Sequence, residues 1–366
     1  MKPPSFYLVR AAIVIIPLSV LSLAASLRGQ QPSGSTLSGR VLDATTGLPL
    51  ENANVFLSQT VLGTSTDQQG NFKITRIPPG TYRVVASRVG YQMQMQSVAI
   101  GVSESFWREF NMPPRVLQTE EVSVSGDAQT AWKKHLKDFT EKFLGTGDNA
   151  SDCTILNPEV ITFRVDTISH DLVASSEDLI SVENRALGYR ANIALGMFSW
   201  DLRRDQGQYL IYPEFEPLQT TRHDSLQLWA ENREENYQRS LQHFLFSLLS
   251  GTLKEDRFEV CIGTLSFLRS GSRRNIGPGD ITIQQTELWG MKRIMFNDWL
   301  MIERYPEAGG KEINFLTLDS GVALVDSLGN LNDPMSVHLI GPWQDRRVAD
   351  MLPLYWTRKS PAVEDR

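Results

Sequence analysis

Between Leu37 and Met112 the apolar residues fall at alternate positions, in short runs broken by turn residues. Tyr82, Val84 and Ala86 share one side of such a run, with Arg83, Val85 and Ser87 on the other; Phe72 and Ile74 share a side of the run before it. A period of two is the signature of strands that bury one face. "TDQQG" supplies a tight hairpin in which Gly70 can take a positive φ, and Pro79-Gly80 suits the centre of a type II turn. About seven candidate strands at this spacing predict an all-β sandwich.

Beyond residue 130 the period changes. Trp132, Leu136, Phe139 and Phe143 recur at helical steps, with Thr130 placed to cap the start and Gly145 to end the turn. A second, longer helix is expected from about Asp224 to Leu249, burying Tyr237, Leu241, Phe244, Leu245 and Leu248 and stopping at Gly251. Strand-type stretches surround both: 159–165, 179–182, 189–195, 209–212, 293–302 and 313–318, with 322–325 facing 336–340. The expected fold class is therefore multi-domain, an all-β sandwich followed by a larger α+β domain. The sandwich is assigned to 36–113, a Pro- and Gly-containing connector to 114–129, and the α+β domain to 130–366.

The N-terminus adds a compartment. Lys2 and Arg10 precede an apolar run from Ala11 to Ala25, and Ala24-Ala25-Ser26 has the small residues of a cleavage site, so 1–26 is expected to be a signal peptide. Pro17, Ser19 and Ser22 interrupt the run, which is short for a bilayer-spanning helix. Export to the periplasm or the outer-membrane face follows as an expectation. In that oxidising setting the two cysteines, Cys153 and Cys261, are a candidate disulfide, with two separate thiols as the alternative.

The net charge of -6 excludes a general nucleic-acid footprint, and Arg269, Arg273 and Arg274 in "RSGSRRNIGPG" read as a solvated loop. Ser240 and His243 stand one helical turn apart, yet "RSLQHF" has no nucleophile elbow, so a capping or packing role is expected. The row Trp229, Arg233, Tyr237, with His243 beside it, is a candidate interaction face, because Trp, Arg and Tyr dominate recognition hot spots. The competing reading is an arginine network locking a helix onto a sheet. "DSLGNLNDP" lacks the acidic spacing of a calcium loop and reads as a hairpin turn between Val325 and Val337.

A resemblance runs through the first region in order: Gly39-Arg40-Val41, Thr46-Gly47-Leu48-Pro49-Leu50, Ala53-Asn54-Val55, Gly63-Thr64, Thr66-Asp67, Gly70-Asn71-Phe72, Ile77-Pro78-Pro79-Gly80-Thr81-Tyr82 and Gly90-Tyr91. This series resembles the carboxypeptidase regulatory-like domain, which implies a transthyretin-like β-sandwich. In metallocarboxypeptidases that domain accompanies a zinc enzyme needing two His and a Glu, the first His and the Glu three positions apart. None of His135, His170, His223, His243 and His338 has a Glu three residues on, and no H-E-x-x-H occurs. No catalytic, cofactor-binding or metal-binding residue is therefore assigned. "TEEVSVSG" is similar to the segment joining this sandwich to the plug of TonB-dependent receptors, although no series of strands long enough for a large barrel follows.

"FLGTGDNASDCTILNP", "ENRALGYRANI", "NREENYQRSLQHFL" and "VDSLGNLNDPMSVHLIGPWQDRRVADMLPLYW" resemble a module that follows the same sandwich in exported proteins of Bacteroidota-type bacteria. That module brings no assigned activity. Two readings of function result. The first is a non-catalytic cell-envelope protein, binding or scaffolding with an envelope protein or glycan partner, or within an outer-membrane complex, and without nucleic acid or cofactor. The second is a hydrolase with an unrecognised site in the second half.

Overall fold

The computed structural model describes residues 34–115, 126–270, 274–277, 279–288, 290–306 and 310–356. The expected signal segment 1–26 and most of the connector, 116–125, lie outside them. Alternation makes the sandwich. Strand β1 (Ser35–Asp43) buries every second residue, and β2 (Asn54–Leu57), β3 (Gly63–Ser65), β4 (Asn71–Ile77), β5 (Gly80–Ser87), β6 (Gln94–Ile100) and β7 (Ser105–Met112) complete two sheets. One sheet has the order β4-β1-β7, with β1 parallel to β7; the other, β3-β2-β5-β6, is antiparallel throughout. Leu37, Val41, Phe72, Ile74, Tyr82, Val84 and Phe110 fill the space between them. This transthyretin-like sandwich precedes a larger β-rich domain with few helices.

The larger domain begins with helix α1 (Gly126–Leu144), whose Phe139 and Phe143 rings stack at 4.7 Å and pack onto a six-stranded sheet. Its strands are β8 (Cys153–Ile155), β9 (Ile161–Val165), β10 (Leu172–Ser176), β11 (Ile180–Asn184), β12 (Tyr189–Asp201) and β13 (Gln206–Pro217). The long β12 pairs with β11 and β10 on one side and with β13 along the other. Next come helices α2 (His223–Gln238) and α3 (Leu241–Ser250). They are followed by β14 (Phe258–Gly263), β15 (Thr282–Gln285), β16 (Met291–Met295), β17 (Trp299–Arg304), β18 (Glu312–Leu318), β19 (Val322–Asp326) and β20 (Val337–Ile340). These form two further sheets, β14-β17-β18-β20 and β15-β16-β19, around Phe244, Leu245, Ile294, Leu300, Ile302, Leu316 and Trp343.

Several expectations are corrected here. The single helix over 224–249 is two helices, because Ser240 is extended (ψ 157°) and its Oγ accepts the His243 N–H as the cap of α3. The stretch 293–302 is two strands in different sheets, with Asp298 left-handed between them (φ 66°). Strand β19 does not face β20; β19 pairs with β16, and β20 with β18. The turn itself closes locally. Asp326 accepts from the N–H groups of Leu328 and Asn330, an Asx-type turn that brings Val325 opposite Leu331. The candidate disulfide is absent. Cys153 starts β8 and donates to the Asn149 carbonyl, while Cys261 lies mid-strand in β14 and donates to Asn275 Oδ1. Packing in separate sheets holds the two thiols in separate cores.

The two domains are bonded together. Gln59, left-handed at φ 63° in the β2–β3 connection, donates its N–H to the Pro213 carbonyl at 2.6 Å and accepts from the Leu354 N–H at 2.7 Å. Thr60 forms a parallel bridge with Glu214, and Phe215 N–H returns to the Thr60 carbonyl. Val85 therefore does not face solvent, as the strand pattern implies. It packs with Phe56, Ala194 and Tyr212 in a cluster shared by the domains. From the far end of the chain, Tyr355 lies against Tyr82 (centroids 6.0 Å) and joins the sandwich core. Residues 34–356 form one compact unit.

Candidate functional site

Three segments remote in sequence enclose a polar cleft of 730 Å³. After α1 the chain turns at Gly145 (φ 95°) and passes through Thr146-Gly147 into a 3-10 turn, Asp148–Asp152. The last two turns of α2 present Asn232, Glu235, Asn236 and Arg239. The segment after β20 supplies Asp345, Arg346 and Asp350. Trp343, buried in the core below, anchors that segment by donating its indole N–H to the Arg239 carbonyl at 2.9 Å.

Asn236 is the hub. Its amide donates to the Asp350 carbonyl at 2.6 Å, while its own carbonyl and Oδ1 accept Arg346 Nη1 at 2.8 and 3.1 Å. Asn149 donates to Asp350 Oδ1 at 2.8 Å, and Asn232 to the Ala186 carbonyl at 2.8 Å. Arg239 Nε meets Glu312 at 2.6 Å, and its Nη1 reaches Glu235. Burial pulls the Arg346 pKa down, with Arg239 and Arg304 adding to the effect and Asp350 and Glu312 opposing it. A guanidinium stays charged in proteins, so the site holds a fixed cation beside Asp350. Asp148, Asp152, Glu235 and Asp345 form an exposed acidic rim.

Three of the four residues of the candidate interaction face, Arg233, Tyr237 and His243, are buried, and Trp229 is half-buried. Arg233 is 7% exposed; its Nε donates to the Leu187 carbonyl at 2.7 Å, and its guanidinium lies 4.1 Å from the centre of the Tyr189 ring. Trp229 covers Gly188 (φ 69°), where an added Cβ would come within 2.3 Å of the indole, and donates to the Arg185 carbonyl. Tyr237 and His243 are both buried, with rings 5.0 Å apart. The row thus locks α2 onto β12, because its long side chains reach carbonyls that the β11–β12 turn leaves unpaired. Ser240 Oγ is committed as a cap, and His243 Nδ1 faces the Gln238 carbonyl at 3.0 Å. His243 Nε2 stands 3.6 Å from Asp256, which also accepts from Ser247 and Thr252.

A second crevice of 330 Å³ lies where the domains meet, with Ser58, Thr81, Arg83, Tyr212 and Asp326 on its walls. Ser58 Oγ and Thr81 Oγ1 find no hydrogen-bond partner among the described residues. Among those residues, no group of three or more His, Cys, Asp or Glu is disposed to hold a metal ion.

Sequence reasoning missed the cleft residues Asn149, Asn232, Asn236, Arg346 and Asp350. They sit in "GTGDNASD", "NREENYQRS" and "GPWQDRRVAD", whose amides and charges read as solvated loop and helix surface. Nothing in any one stretch indicates the other two.

Residues 37–124 match the family described as CarboxypepD_reg-like domain. No curated protein matches the chain. Among solved structures, the 5-hydroxyisourate hydrolase of Klebsiella pneumoniae is similar at 27% identity over 22% of this chain and 92% of that one, with a TM-score of 0.19. The pilus 2b backbone protein of group B streptococcus is similar at 17% identity over 22% of this chain and 41% of its own, with a TM-score of 0.20. The minor pilin of Streptococcus agalactiae is similar at 19% identity over 25% and 48%, with a TM-score of 0.19. This chain spans less than half of either pilin protein.

Proposed function

We propose that this chain is a non-catalytic, exported cell-envelope protein that binds or scaffolds at the periplasm or outer membrane. In this reading the sandwich is a fixed support and the polar cleft is the recognition site of the larger domain. The observation that carries it is the Gln59–Pro213 and Thr60–Glu214 backbone pairing, which joins the sandwich into one compact unit with the domain that holds the cleft. A support of this kind suits presentation of a surface. Ser240 and His243, the nucleophile and base that stand one helical turn apart in the second half, are spent on capping and core packing.

Export is supported by the basic, apolar and small-residue order of residues 1–26, and the envelope by the likeness of the second half to modules of exported Bacteroidota-type proteins. The partner is an envelope protein or a glycan. Expression of the full chain in a Gram-negative host, followed by fractionation and intact-mass measurement, is the test. The expected product is a periplasmic or membrane-associated chain that lacks its first 25 or 26 residues, the end of the small-residue run. An uncleaved cytoplasmic chain would overturn the reading.

A further inference from the structure

We propose that the cleft binds a neutral, polyhydroxylated ligand, the end of a glycan chain. This inference rests on the reading of the cleft as a recognition site and adds the ligand's chemistry. Three features of the cleft point to it. Its floor is made of amides and two charge pairs, with Arg346 beside Asp350 and Arg239 against Glu312. The acidic rim of Asp148, Asp152, Glu235 and Asp345 turns an anion away, and a cation that passes it meets Arg346 on the floor. A neutral guest avoids that conflict.

The second feature is the mixture of free hydrogen-bonding groups. Arg346 uses only Nη1 within the described chain, which leaves donors on Nε and Nη2; the Oδ1 atoms of Asn149 and Asn232 accept from no described residue. A guest must therefore accept and donate at neighbouring points. A hydroxyl does both on one oxygen, and a sugar ring carries several of them at fixed spacing. The third feature is rigidity without apolar lining: among the described residues no large apolar side chain borders the space, while the Asn236 hydrogen bonds hold its walls in place. Affinity there comes from preorganised hydrogen bonds and not from hydrophobic area.

The experiment is saturation-transfer NMR and calorimetry on the full mature chain. Its probes are maltose, N,N′-diacetylchitobiose and a mannobiose, with spermidine and citrate as charged controls. Saturable binding of at least one saccharide is expected, weakened about tenfold by Arg346→Lys, which keeps the charge but loses the planar fork, and by Asn232→Ala. Leu226→Ala, on the exposed side of α2, should bind as the parent does. Melting curves of each variant separate lost binding from lost folding. Saccharide binding untouched by both folded variants would overturn the site. Binding of spermidine or citrate alone would overturn the ligand class and leave the recognition site standing, whereas no binding of any probe would sink both.

Discussion

Thr60 of the sandwich and Glu214 of β13 form a parallel bridge, and the carboxyl of Glu214 then folds back onto Gly63. An ideal Cβ at Gly63 would stand 1.8 Å from Glu214 Oε1, so the absence of a side chain there is what lets the carboxyl enter the junction. Glu214 is 8% exposed, and burial, helped by the charge of Glu216, pushes its pKa up to about 7. Removing water from an acid disfavours its ionised form.

The sign of the pH effect follows. An acid whose pKa is raised on folding binds more protons folded than unfolded, so stability is full below the unfolded value and declines as pH rises through about 7. From about pH 5 to about pH 8 the parent should lose up to about 3 kcal/mol that Glu214→Gln does not lose. Urea denaturation at both pH values measures this; equal pH dependence in the two proteins would refute it.

Tyr355 closes the junction from the other end of the chain. Its ring joins the sandwich core, while Leu354 accepts at its carbonyl from Gln242 and Asn330 of the larger domain. Tyr355→Ala should cost about 3 kcal/mol through the cavity it leaves. Because the shared cluster and backbone bonds couple the domains, calorimetry of the parent should show one cooperative transition. Two well-separated transitions would show that the sandwich folds and melts alone.

Arg233 binds α2 to the sheet through a carbonyl hydrogen bond and the Tyr189 ring together. Its loss leaves the Leu187 carbonyl unpaired in a buried place, so Arg233→Ala should destabilise by about 2 to 4 kcal/mol. Arg233→Lys keeps the charge over the ring but loses the fork, and should fall between the two. Thermal melts decide, and an unchanged midpoint for the alanine variant would contradict the account.

The two thiols should be free and unreactive in the folded protein. Cys153 is pushed up to about 12 by burial, with Asp350 and Asp152 adding to it, and Cys261 is buried in β14. A thiolate is the reactive species, so native protein should resist a thiol reagent at neutral pH, while denatured protein titrates both cysteines without reductant. Absence of free thiol in the denatured sample would restore the bridge.

The sandwich was readable because alternation is a local property. Phe72, Ile74, Tyr82 and Val84 each announce their face through neighbours two positions away. Helix α1 was readable for the same reason, its stripe of Trp132, Leu136, Phe139 and Phe143 meeting the sheet as the spacing implies. The break at Ser240 was hidden, since its residues keep a helical rhythm across a cap that only the changed direction of α3 reveals.

By itself, then, the chain's pattern determined the strands of the sandwich, the first helix of the larger domain, and that a sandwich precedes a larger domain. Only the tertiary structure decided that Val85 is covered, that the two cysteines stay apart, and that Asn149, Asn236 and Arg346 meet in one cleft. The physical reason is range. Periodicity records what each residue does relative to its near neighbours, whereas a cleft is set by packing between segments whose separation along the chain carries no periodic trace.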